Sequence, residues 1–230
     1  MKTLGLIGGI GPESTIEYYR LIVARYREKA DGVYPSVIIN SVDLKRLLEW
    51  MTAGELEKAT DYLLGELERL HKAGADFAAL ASNTPHIVFN EIRDRSPLRL
   101  ISIVEAAREK VEALGLKTVG LIGTRFTMQA TFYGDVFSAA GINVVVPNDN
   151  EQTYIHEKYI GELLSDVFLE ETRIRILAIA DEVKARYGIK ALILGGTELP
   201  LLLRNEEHNG LRLLDTTKIH TEVLVRELLA

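Results

Sequence analysis

Residues 3–8 read Thr-Leu-Gly-Leu-Ile-Gly and residues 118–123 read Thr-Val-Gly-Leu-Ile-Gly, nearly the same hexapeptide twice, 115 positions apart. Each is a continuous apolar run ending in glycine, the pattern of a strand covered on both faces. A second pair keeps almost the same spacing. Ala-Ser-Asn-Thr-Pro at 81–85 and Gly-Gly-Thr-Glu-Leu-Pro at 195–200 put Pro85 and Pro200 115 apart, and Ser82 and Gly196 114 apart. Two strand-to-helix junctions repeated at one spacing mark a duplicated domain, since the period is far too long for a solenoid.

Outward from these anchors, short apolar runs at 36–40, 76–81, 99–103, 142–146 and 190–194 read as further strands. Between the strands lie helical patterns at 13–30, 53–73, 85–95, 103–114, 128–140, 151–165, 169–187 and 216–229. The alternation predicts an α/β fold of two pseudo-symmetric, doubly wound lobes with parallel sheets. The expected division is 1–104 plus 211–230 for one lobe and 105–210 for the other. Ligands of open parallel sheets bind beyond the carboxyl ends of the strands. The junctions 8–14, 81–86, 123–128 and 195–200 are therefore expected to line one ligand cleft between the lobes.

Composition excludes several classes. A net charge of −6, with no run of basic residues longer than two, argues against a nucleic-acid partner. No apolar stretch reaches the length of a membrane span, so no membrane partner is expected. The opening MKTLGLIGG has a short apolar run, broken by glycines and leading into Glu13, unlike a secretory leader. With no cysteine there is no disulfide framework, and a cytoplasmic location is the expectation. The histidines at 71, 86, 156, 208 and 220 show no metal-ligand spacing, so no metal is expected.

The first junction, Gly8-Gly9-Ile10-Gly11-Pro12-Glu13-Ser14, resembles a phosphate loop but lacks the Lys-Ser/Thr of a nucleotide hydrolase. The dinucleotide fingerprint also fails, because Ser14 stands where a third Gly or Ala belongs. What remains is a backbone anion site at Gly9 for a small carboxylate, or a plain glycine turn. In Ser82-Asn83-Thr84-Pro85-His86, a helix cap accounts for Thr84 and Pro85 and leaves Ser82 and Asn83 as surplus polar groups. Thr124 and Thr127 of the third junction are read either as carboxylate ligands or as a helix cap. The fourth junction repeats the small-polar-proline pattern as Gly196, Thr197 and Pro200, and adds the carboxylate of Glu198.

Taken in order and spacing, GLIGGIGPESTIEYY, SNTPH, GLIGTRFTM, GGTELPLLL and DTTKIH resemble the aspartate/glutamate racemase superfamily over essentially the whole chain. Glu198 in the fourth motif, where glutamate racemases carry His, makes the aspartate racemase branch the nearer one. The resemblance implies a racemase without a cofactor, two pseudo-symmetric lobes and a homodimer. It also implies that Asn83, Thr84 and Thr197 hold the substrate α-carboxylate, with Thr124 and Thr127 near the same group. Two cysteines would flank the α-carbon as opposed acid and base. Their positions here are Ser82 and Gly196.

Neither replacement is mild. A serine hydroxyl is far less acidic than a thiol and needs a partner base. His86, four residues beyond Ser82, is one candidate partner. Gly196 has no proton-transferring group and is expected to open space. Proton transfer would then fall to Glu198, Glu13, Asp43 or Lys45, geometry deciding among them. Three readings remain: α-carbon chemistry through another group, a one-sided reaction such as elimination or decarboxylation, and binding of a small carboxylate or amino acid without turnover. Lys45 and Arg46 are read as ligands of a second substrate carboxylate or as surface charge. Asp215 and Thr216 are read as a helix N-cap.

Overall fold

The computed structural model describes residues 1–230. Its strands are β1 (Thr3–Gly8), β2 (Ser36–Ser41), β3 (Phe77–Leu80), β4 (Arg99–Ile101), β5 (Thr118–Gly123), β6 (Asn143–Val145), β7 (Ala191–Gly195), β8 (Glu207–His208) and β9 (Leu211–Asp215). The helices of the first half are α1 (Pro12–Lys29), α2 (Leu44–Thr52), α3 (Leu56–Lys72), α4 (Phe89–Arg95) and α5 (Ile103–Ala113). Those of the second are α6 (Arg125–Gln129), α7 (Phe132–Ser138), α8 (Asp149–Gly161), α9 (Glu170–Tyr187), α10 (Leu199–Leu203) and α11 (Thr216–Leu229). Tighter 3₁₀ turns occupy Thr84–Val88 and Leu163–Ser165.

Two sheets form, with strand orders β2-β1-β3-β4 and β6-β5-β7-β9-β8, parallel except for the β8–β9 pair. The sequence repeat is also a repeat of register. Gly5 pairs with Ala78 and Ile7 with Leu80 in the first sheet. Gly120 pairs with Leu192 and Ile122 with Leu194 in the second. The correspondence runs one strand further than the hexapeptides reveal, with Ala78 opposite Leu100 and Leu192 opposite Leu213.

The chain forms two compact units, Met1–Ile103 with His220–Ala230, and Val104–Ile219. Residues 211–219 thus fall in the second unit, not the first as the sequence suggests. The reason is β9, whose backbone pairs with β7 through Leu194↔Asp215. The sequence reading expects no strand at 211–215, although a turn signal precedes it. Asn209 and Gly210, both with positive φ (47° and 73°), make the two-residue turn that joins β8 to β9.

Inside the first unit, the pleat sends alternate residues of β1 to opposite faces. Leu4 and Leu6 pack with Tyr18, Ile22 and Tyr26 of α1 and with Leu224, Val225 and Leu228 of α11. On the other face, Gly5 lies against Leu70 of α3. Both faces are therefore covered, which explains the unbroken apolar run. Each fully buried Leu or Ile here contributes about 1.5–3 kcal/mol. In the second unit, Ile122, Leu192 and Leu194 pack with Ile155 and Tyr159 of α8 and Ile176, Ile179 and Val183 of α9.

Two helices lie outside the expected set. Asp43 caps α2 by accepting the Arg46 N–H at 3.2 Å, and α10 begins at Leu199 with Pro200 in its first turn. The single helix expected at 128–140 is instead α6 and α7, with the break at Ala130 and Thr131. No helix is long and apolar enough to cross a membrane.

Candidate functional site

Strand order marks a candidate site in each unit. From β1 the chain moves to β2 on one side, then returns to β3 on the other, so the topological switch point lies between β1 and β3. The equivalent switch in the second unit lies between β5 and β7. Beyond the carboxyl ends of these strands stand Gly9 and Ser82-Asn83-Thr84 in one unit, and Thr124 and Gly196-Thr197-Glu198 in the other.

In the first unit, Gly9 sits at φ 81°, and a Cβ there would lie 2.7 Å from Val42 O and 2.8 Å from Val42 N. Only glycine fits so close an approach to the end of β2. Its N–H donates to Thr15 Oγ1 at 2.9 Å, and that hydroxyl donates to Gly11 O at 3.2 Å. The Gly9 N–H, one donor of the expected anion site, is thus engaged inside the loop. Thr15, unremarked in the sequence, closes it.

Ser82, Asn83 and Thr84 are all buried. Asn83 precedes the 3₁₀ turn without a side-chain capping bond, so a cap does not account for its amide. His86 stacks on Phe89, with ring centroids 4.5 Å apart. Burial, followed by the nearby His220, lowers the His86 pKa to about 3. So weak a base does not activate Ser82, and the suggested Ser82–His86 pair is set aside.

In the second unit, Thr124 is the cap of α6: its hydroxyl accepts the Thr127 N–H at 3.3 Å and lies 3.2 Å from Thr127 Oγ1. Both hydroxyls are buried. The Arg125 N–H donates to His156 Nδ1 at 3.2 Å. At the end of β7, Thr197 Oγ1 donates to Glu198 Oε2 at 3.1 Å. Tyr159 Oη of α8 donates to the same carboxylate oxygen. Burial, the Glu198 charge and this hydrogen bond all push the Tyr159 phenol well above its ordinary pKa, so its proton stays on the ring.

The space foreseen at Gly196 is filled. A Cβ on residue 196 would lie 2.7 Å from Tyr159 Oη and 2.8 Å from Tyr159 Cζ. Tyr159 is 4 % exposed and Glu198 2 %, so neither is a surface group near a vacancy. The sequence carries a faint signal for this contact. A glycine where a β-carbon is expected points to a bulky neighbour, but not to which one.

Among the four ionisable candidates for proton transfer, only Glu198 is buried; Glu13, Asp43 and Lys45 are exposed. Asp43 serves as the α2 cap. Lys45 lies 3.9 Å from Glu49, and the Arg46 guanidinium sits 5.5 Å over the Trp50 ring. Both are surface groups.

The start of α11 follows the cap reading at Asp215. Asp215 Oδ1 accepts the N–H groups of Thr217 at 2.9 Å and Lys218 at 3.0 Å, while Thr216 Oγ1 donates to Leu194 O at 2.8 Å. Thr217 is a residue the sequence reading passed over. Its hydroxyl is buried beyond the end of β9 and has no hydrogen-bond partner. No group of three or more His, Asp or Glu is placed to hold a metal ion.

The profile of the Asp/Glu/hydantoin racemase family matches residues 7–224. Over 148 residues the chain is 28 % identical to a broad-specificity amino-acid racemase of Bacillus subtilis, RacX. That stretch is 62 % of this chain but only 63 % of the Bacillus protein, less than two thirds of its length. A crystal structure of an aspartate racemase homologue from Pyrococcus horikoshii superposes over 100 % of both chains, with a TM-score of 0.83 and 32 % identity. A Yersinia pestis structure, solved as a candidate Asp/Glu racemase, superposes over 100 % of both chains with a TM-score of 0.90 and 31 % identity.

Proposed function

Since the chain belongs to the Asp/Glu/hydantoin racemase family, we propose that it moves a proton at the α-carbon of a small amino acid, with Glu198 supplying the basicity. The observation that carries this reading is the buried carboxylate itself. Glu198 lies at the end of β7, two residues from Gly196, and takes hydrogen bonds from Thr197 and Tyr159. An ionised carboxylate is costly to bury, and hydrogen-bond donors lower that cost.

Asn83 and Thr84 in the first unit, and Thr124 and Thr127 in the second, are each proposed as carboxylate-binding groups, while Thr197 gives its hydroxyl proton to Glu198 and binds only by exchanging that partner. Amide and hydroxyl groups at a strand end suit a carboxylate, because they donate without bringing a competing positive charge. The Thr217 hydroxyl, buried without a partner, is a further donor. The aspartate preference of some relatives is not carried over. Lys45 and Arg46, the cations considered for a second carboxylate, are engaged on the surface.

A one-sided reaction is the second reading, and His86 supports it. With the imidazole pKa lowered to about 3, Ser82 has no strong base in that neighbour. Deprotonation and reprotonation on one face give α-hydrogen exchange with little inversion.

Incubation of L- and D-amino acids in D2O, with the α-proton followed by NMR, tests the proposal. Exchange of at least one amino acid, lost in Glu198→Gln, is expected. Absence of exchange across the panel, with the protein folded, rejects it.

A further inference from the structure

Gly196 and Tyr159 are complementary. A β-carbon at residue 196 would overlap the Tyr159 phenol, with 2.7 Å to its oxygen. The absent side chain and the present ring therefore compete for one volume. The same phenol oxygen donates to Glu198 Oε2, as Thr197 Oγ1 does at 3.1 Å. Of the two groups, the phenol is the one that occupies the position a residue-196 side chain would take.

We propose that Tyr159 is the catalytic acid–base on this face, working as a hydroxyl–carboxylate relay with Glu198, and that Gly196 is glycine because the phenol needs its place. This rests on the reading of the chain as an α-carbon proton-transfer enzyme. In the forward step the α C–H bond breaks and its proton goes to Tyr159 Oη. The proton already on Oη passes to Glu198 Oε2, which becomes a carboxylic acid. The electron pair stays on the substrate α-carbon, delocalised into the substrate's own carboxylate. Reversal returns a proton to the carbon and restores both side chains, so nothing is consumed. A phenol that holds its proton this firmly in the resting state makes the coupled transfer to Glu198 necessary; a free phenolate is not the base.

The test compares forms of the full chain by α-deuterium exchange over a panel of L- and D-amino acids: wild type, Tyr159→Phe, Gly196→Cys, Gly196→Cys with Tyr159→Ala, Glu198→Asp and Glu198→Gln. Tyr159→Ala alone is the reference for the double variant. Circular dichroism monitors folding, and thermal shift with the exchanged amino acid monitors binding. Tyr159→Phe keeps the ring and removes the hydroxyl, so exchange is expected to fall about 100-fold or more with the thermal shift retained. Gly196→Cys alone is expected to lose exchange, because the new side chain collides with the phenol. The double variant has room for a thiol and should exceed Tyr159→Ala about 10-fold or more, within the range such groups contribute. Glu198→Asp should keep part of the exchange that Glu198→Gln loses.

Tyr159→Phe exchanging at the wild-type rate overturns the relay and leaves the family-based reading standing. An inactive wild type whose folded double variant gains exchange also overturns the relay, since the site then works only with a thiol. No exchange in any folded form overturns both.

Discussion

Tyr159 Oη donates to Glu198 Oε2 from the volume that a side chain on residue 196 would otherwise fill. The repeat places Gly196 at the counterpart of Ser82, and the two ends of the duplicated fold differ there. One keeps a small hydroxyl. The other gives the space to a ring brought by α8.

Gly196→Ala is expected to destabilise the protein by about 1–3 kcal/mol, because one buried methyl group has to displace a packed phenol. In a Tyr159→Ala background the same substitution should cost clearly less, since the two sites are in contact and their effects couple. Urea unfolding of the four forms measures the coupling. Equal penalties in both backgrounds would show that the ring does not constrain residue 196.

Stability is expected to fall as the pH drops below about 6.5. His220 donates through Nε2 to Ile101 O at 3.0 Å and, as a neutral ring, accepts the Tyr18 hydroxyl at Nδ1 at 2.8 Å. Burial lowers its pKa to about 4, and that of His86 to about 3. Both folded values lie below the unfolded one, so the unfolded chain binds protons first, and their contribution is lost as pH falls toward the folded values. Together they should cost about 3–4 kcal/mol between pH 7 and pH 5. Urea midpoints at the two pH values measure this, and His220→Gln should remove about half of the difference.

Gly9→Ala is expected to cost about 2 kcal/mol or more. The residue sits at φ 81°, and the added carbon would press on the backbone of Val42. Thermal unfolding is the readout. A variant as stable as wild type would mean that the first junction tolerates a side chain.

Asp215→Ala should cost about 1 kcal/mol by leaving the N–H groups of Thr217 and Lys218 without their acceptor, while Asp215→Asn should be nearly neutral. Denaturant unfolding separates the two. Equal loss in both variants would point to a role for the charge beyond capping.

The duplicated architecture was legible from a few dozen residues. TLGLIG and TVGLIG keep one spacing, and a continuous apolar run has few stable uses other than a doubly covered strand. The strand-end residues Ser82, Asn83, Thr84, Thr197 and Glu198 were legible for the same reason, as polar groups placed directly after apolar runs. The turn to β9 was also readable in Asn209-Gly210, and β9 ties residues 211–219 to the second compact unit. Local chemistry of this kind lies within a few positions of the chain.

What the sequence determined by itself is therefore the periodic part: strands, junctions, their repetition and the absence of thiols. What only the tertiary structure decided is which groups meet. Nothing in the chain order relates Tyr159 to Gly196, or separates the buried Glu198 from the exposed Glu13, Asp43 and Lys45. The physical reason is that burial and hydrogen bonding between residues dozens of positions apart are set by how helices pack on a sheet. Gly196 reads as an empty place in the sequence; packing of α8 against the end of β7 makes it an occupied one.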